Sequence, residues 1–260
     1  MPYLVHADIS NVSLEILRNR NLGTSPQDRV INLLIKNLQT NEIWFPAFNY
    51  DFATTKVFNP DEDKIQVGSI NKQVMKMNSS RRTLTPIFSF TGLGELLMPI
   101  KKSLYKPFSH DSELGTLLKE DSNVIFLGAP ISSFTFIHFI EEAKNIGYRY
   151  IKRMDGQIKL QHELYKTALE WKVRPAKQKL HYDWSKITHE LVSTGILQRY
   201  NTFGKNSYIM KLSNCYEAIG KKIEEDPCYL LDNETRNWVE PKMRKLQRSF
   251  HLSDFEIGVN

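Results

Sequence analysis

The chain has 260 residues, a hydrophobic content of 41% and a formal net charge of +6. That length suffices for one large domain or two small ones, and the composition suits a soluble globular protein. No run approaches the ~20 apolar residues of a membrane span. The start, Met1-Pro2-Tyr3-Leu4, has no basic n-region or cleavable apolar segment, and Cys215 and Cys228 are the only cysteines, so a cytoplasmic, reducing location with structural thiols is expected.

Taken in order, Tyr3-Leu4-Val5 reads as a first strand, with His6 and Asp8 at its end and Ser10 or Asn11 placed to start a helix. A strand turning into a helix N-terminus is a natural seat for a phosphate, though an ordinary turn has the same local sequence. Ser25-Pro26-Gln27-Asp28 is a helix start, followed by an apolar stripe of Val30, Ile31, Leu33, Leu34 and Leu38. Glu42-Ile43-Trp44-Phe45-Pro46 is a second strand, stopped by proline. The aromatic-polar loop Phe48-Asn49-Tyr50-Asp51-Phe52 suits a sugar-binding wall, with Asn49, Tyr50 and Asp51 as candidate contacts. Phe48 and Phe52 fit equally well as core. Residues 59–63 read as a polar loop, residues 68–77 as a short helix, and another helix is expected from Glu95. Ser112 is placed to cap a helix reaching Lys119.

Residues 124–142, VIFLGAPISSFTFIHFIEE, organise the rest. The apolar run 124–127 reads as a strand buried on both faces. Gly128-Ala129-Pro130 ends it, and Ser132 or Ser133 can cap a helix beginning at Phe134, Thr135 and Phe136. On that helix His138 and Glu141 are three residues apart and share a face. Such a pair is also what an ordinary helix surface carries. A zinc site needs three or four ligands, and no second His or Cys cluster at ligand spacing joins them, so no metal is expected. Downstream, residues 148–153 alternate like a strand, and Tyr182-Asp183-Trp184 precedes a helix with Ile187, Leu191 and Ile196 on its apolar face. Gly204 lies in a turn, residues 207–210 read as a strand, and helices are expected over 213–222 and about 241–250. No internal repeat is visible.

Four blocks, in order, resemble the aminoglycoside 3-N-acetyltransferase family, which also includes sugar acetyltransferases. Residues 133–141 resemble its N-T-x-x-H-x-x-E segment, and Arg82-Thr83-Leu84-Thr85-Pro86-Ile87-Phe88-Ser89-Phe90 its R-S-x-H-P-x-x-S-F/V block. Val5-His6-Ala7-Asp8-Ile9 resembles V-H-S-S-L, and Phe45-Pro46-Ala47-Phe48 resembles M-P-T-F. Residues 109–114 are similar to G-x-G-S-P-L without the glycines, Ser112 supplying the matching hydroxyl. Thr85 departs from the family, where many members have histidine, so a hydroxyl contact stands where an imidazole would. A Y-R-x-x-K passage is matched by Tyr148, Arg149 and Lys152.

The resemblance implies an acetyl-CoA-dependent N-acetyltransferase, distinct in fold from GNAT enzymes. His138 would be the general base and Glu141 would orient its ring, with backbone N–H groups or the Thr135 hydroxyl stabilising the oxyanion. His6, Asp8 and Ile9, with the hydroxyls of Thr85, Ser89 and Ser112, would contact coenzyme A. The expected fold is a single three-layer α/β/α sandwich around a central mixed sheet over residues 1–260. A smaller basic C-terminal portion, from about residue 160, would cover one side of the cleft.

Charge bears on the acceptor. Residues 1–142 carry 14 Lys+Arg against 15 Asp+Glu, and residues 143–260 carry 21 against 14. Residues 144–179 alone hold ten basic and three acidic residues. Basic surface steers anions, whereas an aminoglycoside is a polycation. The expected small-molecule acceptor is therefore an amino sugar linked to a nucleotide and used in surface polysaccharide synthesis. An aminoglycoside, held by local acids such as Asp51, is the alternative. A catalytically idle relative that binds nucleotide or nucleic acid is a third reading. No RRM, KH or helix-turn-helix signature supports a nucleic-acid partner, and no G-x-G-x-x-G or Walker motif supports a dehydrogenase or NTPase. No membrane partner is expected, and a homodimer is compatible with the sequence.

Overall fold

The computed structural model describes residues 1–204 and 206–256. Its strands are β1 (Tyr3–Ala7), β2 (Ile43–Pro46), β3 (Val57–Phe58), β4 (Arg81–Arg82), β5 (Phe90–Leu93), β6 (Leu104–Tyr105), β7 (Asn123–Leu127), β8 (Tyr150–Leu160), β9 (Glu163–Val173), β10 (Gln198–Arg199) and β11 (Ser207–Lys211). Its α-helices are α1 (Leu14–Arg18), α2 (Pro26–Leu38), α3 (Phe52–Thr55), α4 (Ser69–Val74), α5 (Glu113–Lys119), α6 (Ile137–Ala143), α7 (Trp184–Ser193), α8 (Leu212–Glu225) and α9 (Asn233–Leu246).

A seven-stranded sheet ordered β10-β11-β7-β1-β2-β5-β4 forms the centre. β1 pairs in parallel with β2 and β7, while β7–β11, β2–β5 and β5–β4 are antiparallel, so the sheet is mixed. Strand alternation sorts the side chains. Val5, Ile43, Phe45, Ile125 and Leu127 face α2 and α4, meeting Val30, Ile31, Leu34, Ile70 and Val74. Leu4, Trp44, Val124 and Phe126 face the other way, onto Leu114, Ile137, Phe139, Ile140 and Ile219 of α5, α6 and α8. Because the strands at the centre are covered on both sides, they read as continuous apolar runs. This is the three-layer sandwich expected from the sequence.

A second sheet, ordered β3-β8-β9-β6, is built on the long β8–β9 hairpin. It packs Phe58, Tyr105, Ile158 and Leu169 on Phe52, Leu84 and Ile87. Residue 160 lies inside this hairpin, and both edge strands come from the N-terminal half of the chain. The central segment differs in detail from its sequence pattern. Residues 131–133 form a 3₁₀ turn, and α6 starts only at Ile137. Ser133 Oγ donates to the Pro130 carbonyl (2.7 Å) instead of capping the helix. No helix follows Glu95; the segment is a bend-rich loop in which the Glu42 carboxylate accepts from the amides of Glu95 (2.8 Å) and Leu96 (3.2 Å). The last long helix begins earlier than expected, capped by Asp232, and carries Pro241 inside it. No described helix is long and apolar enough to cross a membrane.

The register of β1 on β7 aligns His6 with Phe126 and Ala7 with Leu127. Both strands therefore end together, and the loops leaving them share one edge of the sheet, the place where open α/β sheets hold ligands. Gly128, at φ 66, makes that convergence: a Cβ there would sit 2.7 Å from the Asp8 carbonyl oxygen.

Candidate active site

α6 buries Ile137, Phe139, Ile140 and Glu141 and leaves the His138 side chain 30% exposed. One turn of helix brings His138 Nδ1 to 2.8 Å from Glu141 Oε2. The carboxylate is 1% exposed and has further partners. The Tyr148 hydroxyl donates to Oε1 (2.7 Å), and Arg149 Nε forms an ion pair with Oε2 at 2.9 Å, too poorly aligned for a hydrogen bond. An Arg149 terminal nitrogen donates to the Tyr182 hydroxyl (2.5 Å), whose oxygen lies 3.3 Å from His138 Nδ1. The ring of His138 also stands edge-on to Phe108 at 5.3 Å.

The electrostatics follow from this packing. Burial alone would raise the Glu141 pKa, but Arg149 and His138 outweigh it and bring it down to about 2. His138 is lowered, by burial first and by the Arg149 charge, while Glu141 opposes both. Burial pushes the Tyr148 and Tyr182 hydroxyls well up, so both remain protonated donors. At neutral pH the arrangement is an ionised carboxylate beside an uncharged imidazole. With Nδ1–H donated to Glu141, Nε2 keeps its lone pair, which is what a general base requires.

At the shared sheet edge lies a cavity of about 510 Å³. Of the residues expected in the site, His6, Asp8, Ile9, Tyr50 and Thr135 line it. His6 is 4% exposed and stacked on Phe126, and burial drives its pKa down to about 3. Its Nε2 has no protein partner. Asn71, also on the wall, donates to the Pro46 carbonyl (2.7 Å) and leaves Oδ1 without a partner. Asp8 uses its carboxylate locally, accepting from Ser10 N (3.0 Å) and Ser10 Oγ (2.6 Å). A row of rings joins the cavity to the imidazole: Phe48 on the wall, then Phe88 at 5.5 Å, Phe108 at 5.0 Å and His138 at 5.3 Å.

Five expected site residues stand elsewhere. Ser89 is fully buried, donates to the Ala47 carbonyl (2.7 Å) and accepts from Arg82 Nε (3.1 Å). Thr85 donates to Glu113 Oε1 (2.6 Å), so its hydroxyl contact is to a carboxylate of the protein. Ser112 caps α5, accepting from Gly115 N (3.2 Å). Asn49 is 1% exposed, donating to the Lys64 carbonyl (2.8 Å) and accepting from Asp51 N (2.9 Å). Asp51 lines a separate cavity of about 690 Å³, with Asp61, Glu62 and Asp63 against three lysines.

Arg149 and Tyr182, which meet the His138–Glu141 pair, and Asn71, on the cavity wall, are given no role by the sequence. Arg149 lies in the family-like Y-R-x-x-K passage, which by itself gives no role, and Tyr182 is 44 residues from the histidine it meets. The basic run over residues 144–179 is less exposed as charge than its sequence implies. Lys144, Arg149, Lys152, Arg153 and Lys159 are all in ion pairs, with Glu224, Glu141, Glu256, Asp155 and Glu62.

Comparison with known proteins gives a consistent picture. The family model described as "Aminoglycoside 3-N-acetyltransferase" matches residues 29–224. No curated protein matches the sequence. Among solved structures, the fold is similar to AAC-IIIb in a binary complex with CoASH, at 17% identity, covering 86% of this chain and 90% of that one with a TM-score of 0.69. It is similar to aminoglycoside acetyltransferase AAC(3)-Xa at 16% identity, covering 86% of each chain with a TM-score of 0.67. YokD protein from Bacillus subtilis matches at 17% identity, 87% and 88% coverage and a TM-score of 0.66.

Proposed function

The chain belongs to the aminoglycoside 3-N-acetyltransferase family and is an acetyl-CoA-dependent N-acetyltransferase, and from that premise we propose that it acetylates an amine of an aminoglycoside or a close amino-sugar relative, with His138 as base. The observation that carries the reading is the His138–Glu141 pair at 2.8 Å, with the second ring nitrogen left over.

Bound acetyl-CoA supplies an activated acyl thioester. An amine is mostly protonated at neutral pH, so a base must take a proton before or during attack. His138 Nε2 accepts that proton, Glu141 carries the resulting imidazolium, and the proton passes on to the departing thiolate. The Thr135 hydroxyl, on the cavity wall, makes only a long 3.4 Å bond to the Ser133 carbonyl, which it would exchange for a developing oxyanion. The cavity also suits coenzyme A. His6 Nε2 and Asn71 Oδ1 are buried polar atoms that lack partners, and the amides of a pantetheine arm offer complementary donors and acceptors.

Two observations favour a cationic acceptor over a nucleotide-linked one. Half of the ten basic residues in 144–179 are paired within the protein. Asp51, Asp61, Glu62 and Asp63 gather on one cavity, where with Lys64, Lys72 and Lys76 they leave a small local excess of negative charge that a cation would prefer to an anion. Thiol release from acetyl-CoA across a panel of aminoglycosides and nucleotide-linked amino sugars tests the reading. Turnover confined to the nucleotide-linked sugars contradicts it.

A further inference from the structure

We infer that Arg149 and Tyr182 are positioning residues for the acetyl transfer: they hold Glu141 as an ion aimed at Nδ1 of His138, and so present Nε2 to the amine. The inference rests on the reading of His138 as the base. It starts from three separate segments converging on one carboxylate. Glu141 and His138 come from α6, Tyr148 and Arg149 immediately precede β8, and Tyr182 precedes Asp183, the N-cap of α7.

The carboxylate's partners divide by role. Tyr148 occupies Oε1 as a neutral donor, at 2.7 Å. Oε2 is shared between His138 Nδ1 at 2.8 Å and Arg149 Nε at 2.9 Å. Arg149 is 10% exposed, so its charge is little screened by water. Without it, the buried carboxylate would keep only neutral hydroxyls and an imidazole. The cheapest way to neutralise that carboxylate would then be to protonate His138, which would remove the base. Arg149 thus supplies the cation that leaves His138 free to stay uncharged.

Tyr182 acts on both partners. Its hydroxyl oxygen accepts from Arg149 at 2.5 Å, fixing the plane of the guanidinium. The same oxygen lies 3.3 Å from His138 Nδ1, and because the hydroxyl proton is engaged by Glu141, the oxygen faces Nδ1 as an acceptor, as the carboxylate does. The tautomer with the proton on Nδ1, and the lone pair on Nε2, is the one this surrounding selects. Among the described residues, Glu141, Arg149 and Tyr182 are the titratable groups facing the ring, Tyr148 lies behind Glu141, and Phe108 covers a further side.

The test uses the full chain and the variants Arg149→Met, Arg149→Lys and Tyr182→Phe, checked for folding by circular dichroism. His138 is followed by NMR titration, its resonance assigned by its loss in His138→Ala, and kcat and KM come from thiol release across pH. In Arg149→Met, the His138 titration and the acid limb of kcat move together to higher pH, and activity lost at neutral pH returns in alkali. Arg149→Lys restores most of the wild-type profile. Tyr182→Phe lowers kcat by about tenfold or more while KM for acetyl-CoA stays put, as a misdirected base should. If folded Arg149→Met and Tyr182→Phe both keep the wild-type titration and kcat profile, the inference is overturned. Should Arg149→Met not fold, Tyr182→Phe decides alone. Near-wild-type kcat in His138→Ala removes the base assignment instead, whereas the NMR titration reads the positioning directly.

Discussion

Replacing Glu141 with glutamine keeps the shape of the side chain and removes its charge. The carboxylate is 1% exposed, and its pKa is lowered to about 2 from 4.5. At about 1.4 kcal/mol per unit, that difference corresponds to roughly 3 kcal/mol of native-state stability at neutral pH. The sign is fixed by the depression. The contribution is full above the unfolded pKa near 4.5 and is lost as pH falls through the folded value near 2. At pH 3, about 1 kcal/mol should remain. Glu141→Gln also strands Arg149 without its counter-charge, so the neutral-pH loss should fall in the range of about 3–5 kcal/mol seen when one partner of a buried pair is removed. Urea unfolding of both proteins at pH 7 and pH 3 measures this. The gap between them should shrink by about 2 kcal/mol on acidification. A gap that is equal at both pH values would show that the carboxylate is not held ionised by its surroundings, and the electrostatic account of His138 would fall with it.

Three further outcomes follow. Ser89→Ala removes the acceptor for Arg82 Nε and the donor to Ala47, and should cost about 1–3 kcal/mol in denaturant while leaving KM for acetyl-CoA unchanged; a raised KM with unchanged stability would return Ser89 to the cofactor site. Asn71→Leu removes an unpartnered acceptor from the cavity wall and should weaken coenzyme A binding in calorimetry by about five- to tenfold, against no change if the cavity holds something else. Because burial and Arg149 lower the His138 pKa, kcat/KM should stay level below pH 6.5 before it falls, and an acid limb centred above 6.5 would refute that direction.

The sandwich was legible because its signals are local. The run from Val124 to Leu127 is apolar without interruption because β7 is covered on both faces, and Ser25-Pro26 marks the start of α2 by the same capping geometry seen in the fold. The His138–Glu141 pair was legible for the same reason, since helical spacing alone brings the two together. Long-range partners left no such trace. Nothing near Tyr182 in the chain points to α6, and the Y-R-x-x-K passage marks Arg149 without showing which carboxylate it meets. Hydroxyls misled in the opposite way. Thr85, Ser89 and Ser112 sit in family-like blocks, but whether a hydroxyl faces a ligand or a carbonyl depends on tertiary contacts, and here all three bond within the protein. Net charge is a weak guide to the acceptor because pairing, not counting, sets the local field.

The most direct measurement is acetyl-CoA thiol release with an aminoglycoside, comparing the wild-type chain with His138→Ala. The account predicts steady turnover by the wild type and a fall in kcat of about a hundredfold or more in the variant, with KM for acetyl-CoA little changed. A folded His138→Ala that turns over the aminoglycoside at near the wild-type rate would contradict it.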